Sequence, residues 1–337
     1  MRFKRPGGHC CARLERRIPD SSPQCPRARR WRGLRFLILL AASVTLHATT
    51  FYVTVAGLGG EPDYEQRFAS LAQEIEKLVK APDASITTLY GPNATKAKVE
   101  SALANVARQA RADDALVVML IGHGSFDGVD YKINLPGPDM TAIELATLLD
   151  RIPATRQLVV NMTSASGASR AVLEKQNRVV VTATKSGSEK NATVFARYWV
   201  EALRDPTADT DKNQVISALE AFTYAQQKTA AYYETNKRLA TEHPMLEDTG
   251  KGDGVKTPSA ENGQGLLAAR FTLLRMGENQ TIAATPEKKA LLARREQLEG
   301  QIDQLKYQKA SLPPEQYRKQ LSVLLLDLAK TQAEIDK

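Results

Sequence analysis

Cysteine is almost absent from this sequence. The chain has 337 residues and three cysteines, and all of these, Cys10, Cys11 and Cys25, lie within its first 25 positions. Because no thiol follows Cys25, the rest of the chain can form no disulfide, thiolate metal site or cysteine nucleophile. Histidine is nearly as scarce, since only His123 and His243 follow position 47, and this argues against a histidine-rich metal site.

Excess positive charge is missing from most of the chain as well. The formal net charge is +8, but residues 1–48 hold eleven Arg or Lys against two acidic residues, so the remainder is close to neutral. No phosphate-binding loop, dinucleotide fingerprint or aromatic-rich basic face occurs in that remainder. The composition therefore argues against a nucleic-acid partner and predicts no required cofactor.

The first 48 residues have the pattern of a basic leader with a signal peptide. A basic run, residues 27–35, precedes an apolar run, residues 36–46, and the small residue Ala48 follows soon after it. Eleven apolar residues are too few to span a bilayer, which takes about 20. We expect an exported protein, periplasmic or secreted. An uncleaved anchor and a cytosolic basic arm are the alternatives.

The body alternates short apolar runs with amphipathic stretches. Residues 51–57 and 86–90 predict strands, and residues 115–121, 158–162 and 179–183 are unbroken apolar runs. Strands without polar alternation are typical of a parallel sheet that helices cover on both faces. The sequence predicts an α/β domain over residues 49–275. A long helix over residues 215–241 and one last element over residues 266–274 complete it.

The C-terminal 52 residues have a different pattern. After a polar linker, residues 276–285, leucines repeat every seven positions at 291, 298 and 305, and again at 321 and 328. This predicts a helical hairpin or a pair of coiled-coil helices over residues 286–337. The hairpin can pack on its own domain, or it can form a homo-oligomer or bind a partner protein; the sequence leaves both open.

Polar residues follow two of the predicted strands. His123 lies in Gly-His-Gly-Ser after the third strand, and Ser164 lies in Thr-Ser-Ala-Ser-Gly after the fourth. Sites in open parallel sheets form beyond the carboxyl ends of the strands, so the two side chains can meet if the strands are neighbours. The alternative is a structural histidine and a serine-rich turn that caps a helix.

Here the sequence resembles the caspase and legumain superfamily of cysteine peptidases, nearest to the legumain type and its bacterial members. The resemblance rests on Gly122-His123-Gly124, on Ser164-Ala165-Ser166-Gly167 where the family has Cys-x-Ser-Gly, and on the spacing of 41 positions from His123 to Ser164. It implies a caspase-like parallel-sheet sandwich with helices on both faces. It also implies that His123 is the catalytic base or acid, and that the amides of Gly124 and Ser164 form the oxyanion hole.

Serine stands where this family has its nucleophilic cysteine. A serine hydroxyl must lose its proton during attack, so it needs a well-aimed histidine and usually an acid behind it. Asp127, Asp130 and Glu189 are candidates for that acid. Three functions stay open: a pseudo-peptidase that binds a peptide or protein ligand, a Ser164/His123 hydrolase of peptide bonds, and an interaction protein that works through the C-terminal helices.

A second motif suggests calcium. Residues 209–220 place oxygen-bearing side chains at positions one, three, five, nine and twelve of an EF-hand-like loop, and Ca²⁺ prefers such oxygen ligands. Gln214 stands where such loops have glycine. The alternative is an acidic, solvated connection between helices. The candidate ligands are Asp209, Asp211, Asn213, Ser217 and Glu220.

Overall fold

The computed structural model of this chain describes residues 48–252, 254–276 and 285–337. The predicted signal peptide and most of the predicted linker lie outside these ranges. Among the described residues, no helix combines the length and the hydrophobicity that crossing a membrane requires.

A six-stranded sheet forms the centre of the fold. In chain order the strands are β1 (Thr50–Ala56), β2 (Ala84–Leu89), β3 (Ala115–Ile121), β4 (Gly124–Phe126), β5 (Tyr131–Ile133), β6 (Met140–Thr141), β7 (Arg156–Asn161), β8 (Arg178–Thr182), β9 (Val215–Ser217), β10 (Met245–Glu247) and β11 (Thr272–Arg275). The central sheet has the order β10-β8-β7-β3-β1-β2. All its strands are parallel except β10, which runs antiparallel along β8 at the edge.

Helices cover both faces of this sheet. They are α1 (Pro62–Leu78), α2 (Lys96–Gln109), α3 (Ala142–Asp150), α4 (Arg170–Leu173), α5 (Phe195–Arg204), α6 (Ala218–Thr235), α7 (Leu266–Ala269), α8 (Pro286–Tyr307) and α9 (Pro314–Ile335). Every residue of β3 is buried. Val117 and Met119 pack in one core with α1, α5 and α6, whereas Leu116 and Val118 pack in a second core with α2 and α3. The predicted α/β sandwich is confirmed.

The helix predicted over residues 215–241 is shorter in the structure. Residues Val215–Ser217 form β9, which pairs antiparallel with β11, and helix α6 begins only at Ala218. The Ser217 side chain accepts from the Glu220 amide while the Glu220 side chain accepts from the Ser217 amide, a capping box that starts a helix. The helix ends at Thr235, and Lys237 beyond it has a φ of 50°. The predicted last element divides into α7 and β11.

The C-terminal hairpin docks on its own domain. Leu292, Leu298 and Ile302 of α8 are buried. The Tyr307 hydroxyl donates to the Gln264 carbonyl oxygen at 2.7 Å. On α9, by contrast, Leu326 keeps 58% of its side chain exposed. The helices that the heptads predict are thus present; an oligomer or partner bound through them stays a prediction.

Candidate functional site

The carboxyl edge of the central sheet brings the two predicted residues together. Strands β3 and β7 pair in parallel, with Leu120 opposite Asn161. The chain then continues through His123 on one side and Ser164 on the other. The two strands are therefore neighbours, as the sequence predicts. Whether His123 and Ser164 interact depends on the directions of their side chains.

The Ser164 hydroxyl is engaged by backbone. Only 2% of this residue is exposed. Its Oγ accepts a hydrogen bond from the Gly124 amide at 3.1 Å and donates to the Gly124 carbonyl oxygen at 3.0 Å. Both hydrogen-bonding roles of the hydroxyl are thereby filled by one glycine, so the oxygen is not presented to a substrate.

The His123 ring faces helix α1. It packs edge-on against Tyr64, with ring centroids 4.9 Å apart, and against Phe68 at 5.2 Å. Burial lowers the pKa of His123, and a hydrogen bond with the Gly59 backbone partly offsets this. Within the described part of the chain, no hydrogen bond joins the ring to Ser164.

One of the two amides of the predicted oxyanion hole is hydrogen-bonded within the protein. The Gly124 amide, one of its two donors, is taken by Ser164 Oγ at 3.1 Å. A Cβ atom at position 124 would lie 2.5 Å from the Ser164 carbonyl oxygen and 2.7 Å from the Tyr131 ring, so only glycine fits. The close approach needed for an oxyanion donor exists, but it holds the serine.

The loop after β7 is held firmly. The buried Tyr131 hydroxyl donates to Asn161 Oδ1 at 3.2 Å, and burial raises the pKa of Tyr131 to about 12. The Gly167 amide donates to Thr184 Oγ1 at 2.8 Å. Ala165, directly after Ser164, has a φ of 55°, a left-handed conformation that is uncommon for alanine. These hydrogen bonds thus hold the loop around Ser164 in one conformation, although the backbone at Ala165 is strained.

Among the described residues, none of the three candidate acids is hydrogen-bonded to the His123 ring. Amides of Asp130 and Val129 donate to Asp127 in an exposed turn and lower its pKa to about 2. Glu189 pairs instead with the second histidine: its Oε1 lies 2.5 Å from His243 Nδ1. Sequence reasoning missed this pair, because the two residues are 54 positions apart and no motif joins them.

A cavity of about 340 Å³ opens beside the same edge. Phe68, Ile121 and Met162 contribute apolar side chains to its lining, and Arg67 and Arg197 contribute cations. Each guanidinium lies over a tyrosine ring of its own helix, at 5.2 and 5.4 Å. Among the described residues, neither arginine has a carboxylate within 4.0 Å. Nothing in the sequence marks these arginines, which sit on ordinary amphipathic helices.

The structure also brings the predicted calcium ligands together. Carboxylate oxygens of Asp209, Asp211 and Glu220 lie within 4.8 Å of one another. Gln214 has a φ of 63°, so it adopts the conformation for which such loops use glycine. Two other predicted ligands serve the loop itself. Ser217 caps α6, and Asn213 Nδ2 donates to Glu299 of α8 at 3.3 Å.

These carboxylates predict a pH-dependent stability. Burial, and then the nearby Glu220, raise the pKa of Asp211 to about 6. Burial also raises the pKa of Glu299 to about 7, although Arg295 opposes the rise. A raised carboxyl pKa favours the folded state most below the unfolded-state value near 4, and that stability is lost progressively as pH rises from about 4 to the folded-state values of about 6 and 7. With metal ions removed by a chelator, we expect the melting temperature to fall as the pH rises over this range.

Calcium at the loop stays a prediction, with a direct measurement. If Ca²⁺ binds these oxygens, it raises the melting temperature at pH 8, and Asp211→Asn reduces that rise while stabilising the chelated protein. Glu315→Gln on α9, where the side chain is 90% exposed, is the control and changes neither value. A calcium response as large in Asp211→Asn as in the wild type contradicts the site.

The described residues form an α/β sandwich around a mainly parallel six-stranded sheet. No family model matches the chain, and no curated protein is significantly similar in sequence. Among solved structures, the Drosophila initiator caspase Dronc is similar, with a TM-score of 0.38 at 10% identity over 60% of this chain and 80% of that chain. Protein GSU0716 from Geobacter sulfurreducens is similar with a TM-score of 0.42 at 13% identity, over 68% of this chain and 99% of that one. At these values neither likeness bears on activity.

Proposed function

We propose that this chain is a pseudo-peptidase, a peptidase-fold protein that binds peptide without cleaving it. The observation that carries the proposal is the closed pair of hydrogen bonds between Ser164 Oγ and the backbone of Gly124. A serine nucleophile needs a histidine aimed at its hydroxyl and a free oxyanion donor. Here the hydroxyl is bound to the oxyanion donor, and the histidine ring packs against α1.

The cavity at the carboxyl edge of the sheet supports a carboxylate-bearing peptide as the ligand. Its apolar lining from Phe68 and Met162 suits the stem of a side chain, and Arg67 and Arg197 offer guanidinium groups that form no salt bridge within 4.0 Å among the described residues. Guanidinium binds carboxylate through paired, charge-assisted hydrogen bonds. An acidic peptide side chain therefore complements this cavity better than a neutral or basic one does.

Labelling tests the catalytic half of the proposal. We expect wild-type protein to take up no fluorophosphonate probe at Ser164 and to turn over no member of a fluorogenic peptide library. Wild type and Ser164→Ala are then indistinguishable. A label or turnover that disappears in both Ser164→Ala and His123→Ala supports the alternative, a Ser164/His123 hydrolase, for which the shared sheet edge of the two residues is the favouring observation.

Binding tests the ligand half. An aspartate-containing peptide should bind wild type more tightly than its asparagine counterpart, and Arg197→Met should weaken the aspartate peptide about tenfold to hundredfold, as for a lost charged hydrogen bond. Arg318→Met on α9, a side chain 74% exposed, is the matched control and leaves affinity unchanged. Equal affinity for the two peptides contradicts the assignment of the cavity.

A further inference from the structure

A second group of buried oxygen atoms lies in the loop that follows the edge strand β10. Glu247, the last residue of β10, is fully buried. Its Oε1 accepts three hydrogen bonds, from the Thr249 amide at 2.8 Å, the Thr249 hydroxyl at 2.7 Å and the Gly250 amide at 2.8 Å. The carboxylate is therefore fixed in one orientation.

The other carboxylate oxygen has no partner. Glu247 Oε2 is buried, and no hydrogen bond reaches it. The same is true of Gln264 Oε1, on a side chain that is only 6% exposed. Buried polar atoms are nearly always hydrogen-bonded, and an unpaired acceptor costs about 1–3 kcal/mol, more when it is charged. Two orphaned acceptors in one loop call for a donor or a cation.

The Glu247 and Gln264 side chains both border Gly252. A Cβ atom built on Gly252 would lie 3.1 Å from Gln264 Nε2, 3.5 Å from Thr249 Oγ1 and 3.9 Å from Glu247 Oε1. The groups that face this glycine are thus a carboxylate, an amide and a hydroxyl. Asp248 adds a second negative charge beside them, with its own oxygens held by the amides of Gly265, Leu267 and Ala268.

We propose that the β10–α7 loop binds a calcium ion through Glu247, Gln264 and Thr249. The donors are all hard oxygens, which are the ligands that Ca²⁺ prefers, and Ca²⁺ accepts the irregular geometry of a loop with backbone carbonyls and water completing its shell. Mg²⁺ fits less well, because it demands a near-ideal octahedron. This site is separate from the loop at residues 209–220 and independent of the proposed pseudo-peptidase function.

Calorimetry on the full chain tests the proposal. The parent protein carries Asp211→Asn, so that the loop at 209–220 does not contribute, and it is freed of metal by chelation and dialysis. Titration with CaCl₂ should reveal one ion per chain. Adding Glu247→Gln should weaken that binding at least about tenfold, as expected for a lost charged ligand, whereas Gln264→Glu should strengthen it.

Glu261→Gln is the control, an exposed residue of the same loop, and it should leave the affinity unchanged. Circular dichroism establishes that each variant is folded. The proposal is overturned if the parent binds no calcium, if Glu247→Gln binds it as tightly as the parent, or if Gln264→Glu binds it more weakly. A Mg²⁺ titration with tighter binding than calcium would overturn the assignment of the ion.

Discussion

Replacing Gly167 by alanine is expected to cost about 3 kcal/mol or more of the free energy of unfolding. A Cβ atom at this position would lie 2.2 Å from the Ser186 amide nitrogen and 2.3 Å from the Lys185 carbonyl carbon. Both are backbone atoms and cannot rotate away, so the loop after Ser164 must separate from the loop after β8. Such overpacking typically costs 1–3 kcal/mol and occasionally more. Urea unfolding followed by circular dichroism measures the loss.

The chain offers a matched control for this substitution. Gly300 lies within α8, and its added Cβ would meet only the Arg270 side chain, with the nearest atom, Nε, at 2.8 Å. That side chain can move, and alanine favours a helix interior by about 1 kcal/mol over glycine. We expect Gly300→Ala to be neutral or slightly stabilising. Similar losses for the two variants would refute the steric explanation.

Leu298→Ala is expected to lower the free energy of unfolding by about 2–5 kcal/mol, the usual cost of truncating a buried leucine. Leu298 of α8 is only 1% exposed. If α8 belongs to the same cooperative unit as the sheet, the whole transition shifts to lower denaturant and remains a single step. Unfolding followed by both Trp fluorescence and circular dichroism tests this.

The control here is Leu326→Ala on α9, where the side chain is 58% exposed. Its truncation removes little buried area, so stability should change by less than about 0.5 kcal/mol. If instead Leu298→Ala produces a separate early transition with the main one unmoved, the hairpin is an independent unit and the docking contacts are weak.

The central sheet could be predicted because its strands carry their own signal. Residues 115–121 form an unbroken apolar run that only a strand buried on both faces explains, and the run coincides with β3. The start of α6 could not be predicted in this way. Val215 and Ile216 continue a helical pattern, and they become a strand only because β11, nearly 60 residues later, pairs with them.

The candidate site was predictable in position but not in orientation. The edge at which His123 and Ser164 lie follows from strand adjacency alone. The direction of the His123 ring depends on Tyr64 and Phe68, two aromatic residues of an otherwise ordinary helix, and the Ser164 contacts depend on the space that the missing Cβ of Gly124 leaves. Such tertiary contacts leave no periodic pattern in a sequence, and Arg67 and Arg197 were missed for the same reason.

The buried Tyr52 hydroxyl of β1 donates to the Leu273 carbonyl oxygen of β11 at 2.7 Å, across 221 residues of chain. A hydrogen bond therefore joins the first strand of the described fold to the last one, β11. Contacts this distant in sequence slow folding, because most of the chain must be ordered before they form. A nascent chain of 250 residues has all six strands of the central sheet and the helices α1–α6, but β9 and the Tyr52 hydroxyl still lack β11 as their partner.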